Sequence, residues 1–333
     1  MTLNGPWKAL GDLKALGRLT LAAGAAAAVA WQSHIPTAYE HLEQFQVLAD
    51  EHGDRAAGSP GYEAAAQYVE RELARAGYET TRQYFTVETW DQEYESFSII
   101  AETTGGDEDN VIMLGAHLDG VPGSPAINDN ASGTAALLET AQRLAQQDSV
   151  TNKVRFAWWG AEEIRGYPGS THYVEELTED GELGSIAAYL NVDMVASPNH
   201  VVGVYDAREP DEEWEYGSGP PVPDGSEQVM EVFTDYFSAQ GQPWVPTSWN
   251  FASDQVAFVE AGVPVGGLFT GSKETKTEAE ATDFGGRAEA PRDPNYHQPG
   301  DDLDNIDREA LALMTEAITH AATTLAQDTG ALE

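Results

Sequence analysis

The sequence predicts an α/β chain in which a largely parallel sheet is covered on both faces by helices. Strand-like apolar runs alternate with segments whose apolar residues fall at helical spacing. Val111-Ile112-Met113-Leu114 is typical of the runs, apolar throughout and short enough for a buried strand. With 333 residues, 41% of them hydrophobic, the chain can bury a sizeable core.

The elements follow in order. From Ile35 to Asp50 the spacing of Leu42, Phe45, Val47 and Leu48 predicts an amphipathic helix. The turn Arg55-Ala56-Ala57-Gly58-Ser59-Pro60-Gly61 leads to a second, Tyr62–Gly77, with Ala65, Tyr68, Val69, Leu73 and Ala76 on one face and Gly77 as its stop. Strand-like runs Thr80–Glu88 and Ser96–Thr104 precede the polar break Gly105–Asn110 and the strand that starts at Val111. Then come helix Gly133–Gln146, strand Val154–Trp159, helix Ser170–Leu177 and strand Ile186–Val192. A loop rich in Pro, Glu and Gly (Arg208–Asp224) leads to helix Glu227–Ala239 and strand Val263–Phe269. A long polar loop, Gly271–Asn295, precedes the last helix, Arg308–Leu325. No internal repeat and no linker divides the chain.

Residues 1–30 differ from the rest. Lys8, Lys14 and Arg18 precede the Ala-rich run Leu19–Ala30, which ends on small residues at Ala28-Val29-Ala30. This pattern fits a secretory signal, so export is expected, the alternative being a cytoplasmic protein with an Ala-rich N-terminal helix. The run is too short and too poor in large apolar residues for a membrane span, and no membrane association of the mature form is expected.

Composition excludes several classes of function. Fifty-six Asp and Glu against 17 Lys and Arg leave a formal net charge of −39, which repels nucleic acid and anionic membranes. Without cysteine, disulfides, thiolate catalysis and thiolate zinc sites are excluded.

Candidate ligands gather at strand ends. His117 and Asp119 follow the strand from Val111, in a Gly/Pro-rich loop that also carries Asp129. Glu162 and Glu163 follow Val154–Trp159, and Asp193 follows Ile186–Val192. In an open parallel sheet the loops at the carboxyl ends of the strands line one crevice, where ligands bind. His297, in the loop before the last helix, is free to close over it. Most acids of this chain belong to a solvated surface, but carboxylates that directly follow apolar strands are partly buried and need a partner or a metal. A His/Asp/Glu set without Cys suits zinc or another borderline first-row metal. More carboxylates than one ion needs, with an Asp able to bridge, point to two metals. The histidines at 34, 41, 52, 172, 200 and 320 lack such neighbours and are read as surface or core residues.

The order of motifs resembles the zinc aminopeptidases of the M28 peptidase family, most of all the secreted aminopeptidases of actinobacteria. The pattern stands here as RAAGSPG (55–61), AHLD (116–119), INDNASG (127–133), WWGAEE (158–163), LNVDM (190–194), SDQVAF (253–258), GGLFTG (266–271) and YHQPGD (296–301). The resemblance implies a single domain over 31–333, a three-layer α/β/α fold with a mixed, mostly parallel central sheet of the zinc-exopeptidase kind. It implies two zinc ions per chain, one bound by His117 and Asp193, the other by Glu163 and His297, with Asp129 bridging them. Glu162 would be the general base and Tyr296 a hydrogen-bond donor to the developing oxyanion. Asp119 would accept the remaining ring N–H of His117, and the peptide bond Asp129–Asn130 would be cis. Glu162 and Asp193 would read the substrate ammonium, and Phe269 would wall a pocket for a large apolar first residue. The implied partners are peptides with a free N-terminus, acted on by a monomer.

The sequence departs from the pattern in three places. Cysteines that flank the YHQ motif in the actinobacterial relatives are Asn295 and Gly300 here, and an Arg usual before the Ser-Asp pair is Ala252. The acids of a calcium site found in some relatives are not identifiable. A dizinc carboxypeptidase or amide deacylase on the same fold, a non-catalytic zinc-binding ectodomain and a one-metal glutaminyl cyclase are the alternative readings. The first would need a cation for the substrate carboxylate, and the loss of the Arg at Ala252 argues against it.

Lysine occurs only at 8, 14, 153, 273 and 276, and the acids are scattered rather than gathered in a tail. That balance suits a protein kept soluble at high salt, where screening removes most self-repulsion. Refolding yield and activity are therefore expected to rise along a salt series, and full stability in dilute buffer would refute the idea.

Overall fold

The computed structural model describes residues 35–89, 92–208, 221–247 and 253–332. The signal-like segment 1–30 and Ala252 lie outside the described residues. In chain order the elements are α1 (Ala38–His52), α2 (Pro60–Ala76), β1 (Thr80–Glu88), β2 (Glu93–Glu102), β3 (Asp107–His117), α3 (Gly133–Leu144), β4 (Asn152–Trp159) and α4 (Pro168–Asp180). They continue with β5 (Ile186–Val192), β6 (Gly203–Tyr205), α5 (Ser226–Gln240), β7 (Val245–Thr247), α6 (Gln255–Glu260), β8 (Val265–Phe269), α7 (Glu278–Phe284) and α8 (Arg308–Gln327).

The strands form one sheet in the order β1-β2-β4-β3-β5-β8-β6-β7. Its centre, β4-β3-β5-β8, is parallel. β2 pairs antiparallel with β1 and β4, and β6 antiparallel with β8, so the sheet is mixed and mostly parallel at its core, as expected. Alternate residues of the central strands point to opposite faces. Ile112, Leu114 and Ala116 of β3 and Val154, Phe156 and Trp158 of β4 enter one apolar core, packed under α1, α2, α3, α5 and α8. Val111 and Met113, with Ala157 and Trp159, enter the other, under α4 and α6. Burial on both faces is why these strands read as unbroken apolar runs.

Helix starts follow their caps. Thr37 accepts the Glu40 amide while the Glu40 carboxylate accepts the Thr37 amide, a reciprocal cap that starts α1. Ser59 caps α2, with Pro60 in its first turn.

The sequence reading misses β6, β7, α6 and α7, which are three to seven residues long. The predicted polar loop Gly271–Asn295 contains α7, which has no buried residue and therefore no apolar stripe. α7 is held by the reciprocal cap of Thr277 and Glu280. The segment around it leaves and returns at one point, where the Asp293 amide donates to Ser272 O at 2.7 Å and the Arg292 amide to Glu274 O at 2.9 Å. Among the described residues no helix is long and apolar enough to cross a membrane.

His41 shows how tightly the α1–α3 contact is specified. The buried ring sits between Tyr68 OH (2.6 Å from Nδ1) and Gln142 Oε1 (3.2 Å from Nε2). A neutral ring satisfies both, accepting from the phenol and donating to the amide oxygen. Burial holds its pKa down at about 4, against 6.5 for a free imidazole. The unfolded chain therefore takes up a proton between pH 6.5 and 4 that the folded chain refuses. Stability present above pH 6.5 is lost through that window, by at most about 3 kcal/mol from this group. Urea unfolding across pH 4–7 is expected to show a shallower acid limb for His41→Gln than for the parent chain.

Candidate active site

The parallel strands β3, β4, β5 and β8 end on one edge, with His117 beside Trp159 and Val192 beside Leu268 in register. His117 is the last residue of β3, Asp193 follows β5, and Glu162 and Glu163 follow β4 across Gly160-Ala161. Several turns at these ends are left-handed at residues other than glycine: Ala126 (φ 54°), Ala161 (φ 62°), Met194 (φ 51°) and His297 (φ 58°). Each such residue carries a cost of order 1–3 kcal/mol that only its surroundings can enforce.

At Met194 the enforcing bond comes from the turn Ile127–Ser132, which is kinked out of helical geometry at Asp129 and Asn130. Asn130 Oδ1 accepts the amides of Gly133 (2.9 Å) and Met194 (3.1 Å), while its Nδ2 donates to Val192 O (2.9 Å). Ser132 Oγ accepts the Val195 amide at 3.0 Å, and Asn128 Oδ1 the Ala196 amide at 3.2 Å. Gly133 permits this approach, since a Cβ there would lie 2.3 Å from Val192 O. The turn is thus pegged along the chain that leaves β5, which fixes Asp129 relative to Asp193. The Asp129–Asn130 bond is cis, as the resemblance implies. Asp301 holds the turn from the other side, its two oxygens accepting the amides of Asn128 (2.8 Å) and Asp129 (3.0 Å). Asp301 shares its loop with His297.

The candidate ligands converge. His117 Nε2 lies 3.2 Å from Asp129 Oδ1, 3.4 Å from Asp193 Oδ1 and 3.8 Å from Glu162 Oε2. His297 Nε2 lies 3.0 Å from Asp129 Oδ2 and 3.1 Å from Glu163 Oε2. Three groups are close enough to hold an ion: His117 with Asp129 and Asp193, Asp129 with Glu163 and His297, and His117 with Glu162 and Glu163. The first two share Asp129, one oxygen for each imidazole.

Charge at this edge is unbalanced. Burial, reinforced by the charges of Glu163, Asp193 and Asp254 and opposed by His117, pushes the Glu162 carboxyl well above its usual range. Burial and then the Asp129 charge push Glu163 up to about 7, and burial with nearby acids pushes Asp254 up to about 8. Burial opposes the charged His297 ring, but Asp129 and Glu163 outweigh it and raise the ring to about 10. Arg55, a buried cation that feels the charges of Asp301, Asp119, Asp129 and Glu163, is itself lowered by burial to about 10. His117 Nε2, His297 Nε2, Glu163 Oε1 and Asp193 Oδ1 are buried and find no hydrogen-bond partner. Aimed lone pairs amid surplus negative charge are what divalent cations fit.

A cavity of about 460 Å³ opens over this cluster, lined by Glu162, Glu163, Asp193, Ser272, Phe269 and Tyr296 among others. Tyr296 stacks on the His297 ring, with centroids 3.8 Å apart. Burial and the surrounding carboxylates raise its phenol, which stays a donor. Phe269 ends β8 and lines the cavity while also packing in the core of that face.

The contact expected of Asp119 is different in the structure. Its carboxylate is 3.8 Å from His117 Nδ1, and the nearer acceptor is its own carbonyl oxygen, at 3.1 Å. The carboxylate turns instead to the two amides that follow Gly160-Ala161, those of Glu162 (3.0 Å) and Glu163 (3.3 Å). Those buried donors outcompete the imidazole, which the backbone already serves. Asp119 therefore orients three candidate residues rather than one.

Sequence reading also passes over Asn128, Asn130, Ser132, Asp254, Asp301 and Arg55. All six stand inside the quoted motifs or their turn, and all are buried. Polar side chains inside buried motifs, in excess of the ligands, are the signal that marks them. The positions of the relatives' cysteines adjoin here too: a Cβ on Gly300 would lie 2.6 Å from Asn295 Oδ1, and Asn295 Nδ2 donates to Asn305 Oδ1 at 2.8 Å.

The sequence profile of peptidase family M28 matches residues 98–322. A Mycobacterium tuberculosis protein described as a probable lipoprotein aminopeptidase, LpqL, is 45% identical over 239 residues, covering 72% of this chain and 47% of its own length. Leucine aminopeptidase 2 of Trichophyton rubrum is 44% identical over 230 residues, 68% of this chain and 44% of its own. The chain spans about half the length of these relatives. Among solved structures, the zinc aminopeptidase BSAP from Bacillus subtilis aligns with a TM-score of 0.69 at 18% identity, covering 89% of this chain and 96% of that one. A glutaminyl cyclase from Porphyromonas gingivalis aligns at 0.66 and 16% identity, covering 87% and 98%. At such identities these two share the fold. The sequence matches reach further, and with most of its length and every ligand-bearing strand end inside the profile, the chain belongs to peptidase family M28.

Proposed function

We propose that this chain is a metallo-aminopeptidase that holds two zinc ions and hydrolyses the first peptide bond of peptides with a free N-terminus. The observation that carries the reading is the division of the Asp129 carboxylate between His117 and His297. It supports one ion held by His117, Asp129 and Asp193 and another by Asp129, Glu163 and His297. Sequence relatives described as aminopeptidases support the reaction class.

Bound there, zinc would lower the pKa of a water from 15.7 to about 7 and act as a Lewis acid toward the scissile carbonyl. Glu162 is left over when the ligands are assigned, its oxygen lying farther from His117 than those of Asp129 and Asp193. Its raised proton affinity suits a base that accepts a proton from the attacking water and delivers it to the leaving amine. Asp119, through the Glu162 amide, fixes the backbone from which this carboxylate projects. Tyr296, stacked on His297 and lining the cavity, would supply a neutral O–H donor to negative charge developing on the carbonyl oxygen. The acid-lined floor favours a substrate ammonium, with Glu162 and Asp193 closest to receive it, and Phe269 gives the cavity an apolar wall for a large first side chain. In the same reading residues 31–333 form the peptidase domain.

A panel of aminoacyl-4-nitroanilides, beside N-blocked and C-terminal substrates, tests the reading on zinc-replete and chelated protein. Turnover of free-amine substrates alone, led by leucine or phenylalanine, is expected; turnover of N-blocked or C-terminal substrates instead refutes it. Glu162→Gln is expected to stay folded, bind two zinc ions and lose activity by about 10²–10⁴-fold, the usual contribution of an acid–base group. Retention of most activity would remove Glu162 as the base. Glu163→Ala is expected to lose one ion on metal analysis, and chelator treatment of the parent chain should inactivate it reversibly.

A further inference from the structure

The turn between α1 and α2 grips the loop that joins His117 to Asp129. Arg55 is fully buried, and its guanidinium donates to three carbonyl oxygens of that loop: Leu118 (3.3 Å from Nε), Ala126 (2.8 Å from Nη2) and Pro125. Its neighbour Asp54 takes the tip, Oδ2 accepting the Gly123 amide at 2.9 Å. Four bonds from two adjacent residues therefore fall on Leu118–Ala126.

Besides these, the Leu118 amide ties the loop's start to Trp159 O at 2.8 Å, and the Ser124 hydroxyl accepts the Ala126 amide at 3.0 Å and donates to Gln298 O at 2.9 Å. The loop carries Gly120, Pro122, Gly123 and Pro125. Among the described residues one backbone bond lies inside it, from the Ser124 amide to Val121 O at 3.3 Å. Leu118, Ser124 and Ala126 are nonetheless buried, so the carbonyls there need donors. The turn is itself fixed: the Asp54 side chain accepts the Ala56 amide, and Phe45 lies under the guanidinium, 5.4 Å from its carbon. The first turn of α2 packs against Asp54 O so closely that a Cβ on Gly61 would lie 1.8 Å away. A lysine would bring one basic nitrogen and could not span three carbonyls as the planar guanidinium does.

We propose that Asp54 and Arg55 form a clamp that sets the spacing of His117 and Asp129 before metal binds, acting as positioning residues for the metal pair. The inference rests on the two-metal reading above. Arg55→Lys removes the planar fork while retaining a basic nitrogen, and loop exchange measured without metal reads the geometric effect apart from electrostatic attraction for a cation.

The test uses the full chain as parent, Arg55→Lys and Asp54→Ala, with Val69→Ala in the α2 core as a control for lost stability. Metal is stripped and zinc is titrated back against a chromophoric chelator, and amide hydrogen exchange over Val121–Ala126 is followed without metal. Arg55→Lys is expected to weaken zinc binding by about 10–100-fold, the range for residues that orient ligands, and Asp54→Ala severalfold. Exchange in the loop should quicken in both, most at Gly123 for Asp54→Ala, and stay unchanged in Val69→Ala. Asp54 is half-buried, so Asp54→Ala carries the test if Arg55→Lys fails to fold. Native zinc affinity and native loop exchange in the variants, or equal losses in Val69→Ala, overturn the clamp. A parent chain that takes up no zinc overturns the two-metal reading, and loop exchange then still judges the clamp alone.

Discussion

Asp129 must present one carboxylate oxygen to His117 and the other to His297, and much of the buried polar bonding at the sheet edge serves that position. Asn130 and Ser132 tie its turn to the chain leaving β5, Asp301 ties it to the loop of His297, and Arg55 supports its approach from β3. Holding like charges together out of water is unfavourable unless each is bonded or neutralised. The fold meets this with backbone amides, as at Asp119 and Asp301, more than with cations. Amides add no net charge, so a site so bonded keeps its appetite for divalent ions.

The scarcity of cations shapes the rest of the molecule as well. Arg82 serves Glu63 and Glu70 while lying over the Phe97 ring. Lys153 serves Glu102 and Glu108, and Arg143 serves Glu139 and Glu316. Each of these three divides one positive charge between two acids. Lys153 and Glu139 are buried and Arg82 is largely covered, so these pairs are less screened by solvent than open surface pairs. Together they place the few cations where helices and strands meet, and leave most surface carboxylates to solvent.

Much of the candidate site was legible in the sequence because three of its candidate ligands follow strands that are apolar on both faces. His117, Glu163 and Asp193 could be assigned to one edge without knowing any contact. His297 and Asp129 lie in loops that periodicity does not place; their residue types beside the strand ends marked them as candidates, and the family pattern supplied only their separate roles. Elements lacking a periodic face escaped: β6 and β7 are three residues each, and α7 buries nothing. The bonds of Asp119 escaped for another reason. Whether its carboxylate or its carbonyl meets the imidazole depends on loop torsions that residue identity does not encode. Asn128, Asn130 and Ser132 were visible as letters of a motif, but their partners around residues 192–197 are set only by the packing of two strand ends.

The excursion around α7 begins and ends at bonded neighbours, Ser272 and Asp293. Ser272 lines the cavity, and Asp293 accepts from Asn128 and Asn305 on the way to His297. Between them the segment is pinned again, Asn199 bonding Arg287, Ala290 and Pro291 and the buried Lys276 donating to His200 O at 2.6 Å, so tolerance to change is confined to the exposed residues of α7. Variation there leaves Ser272 at the cavity and Asp293 beside Asn128 where they are.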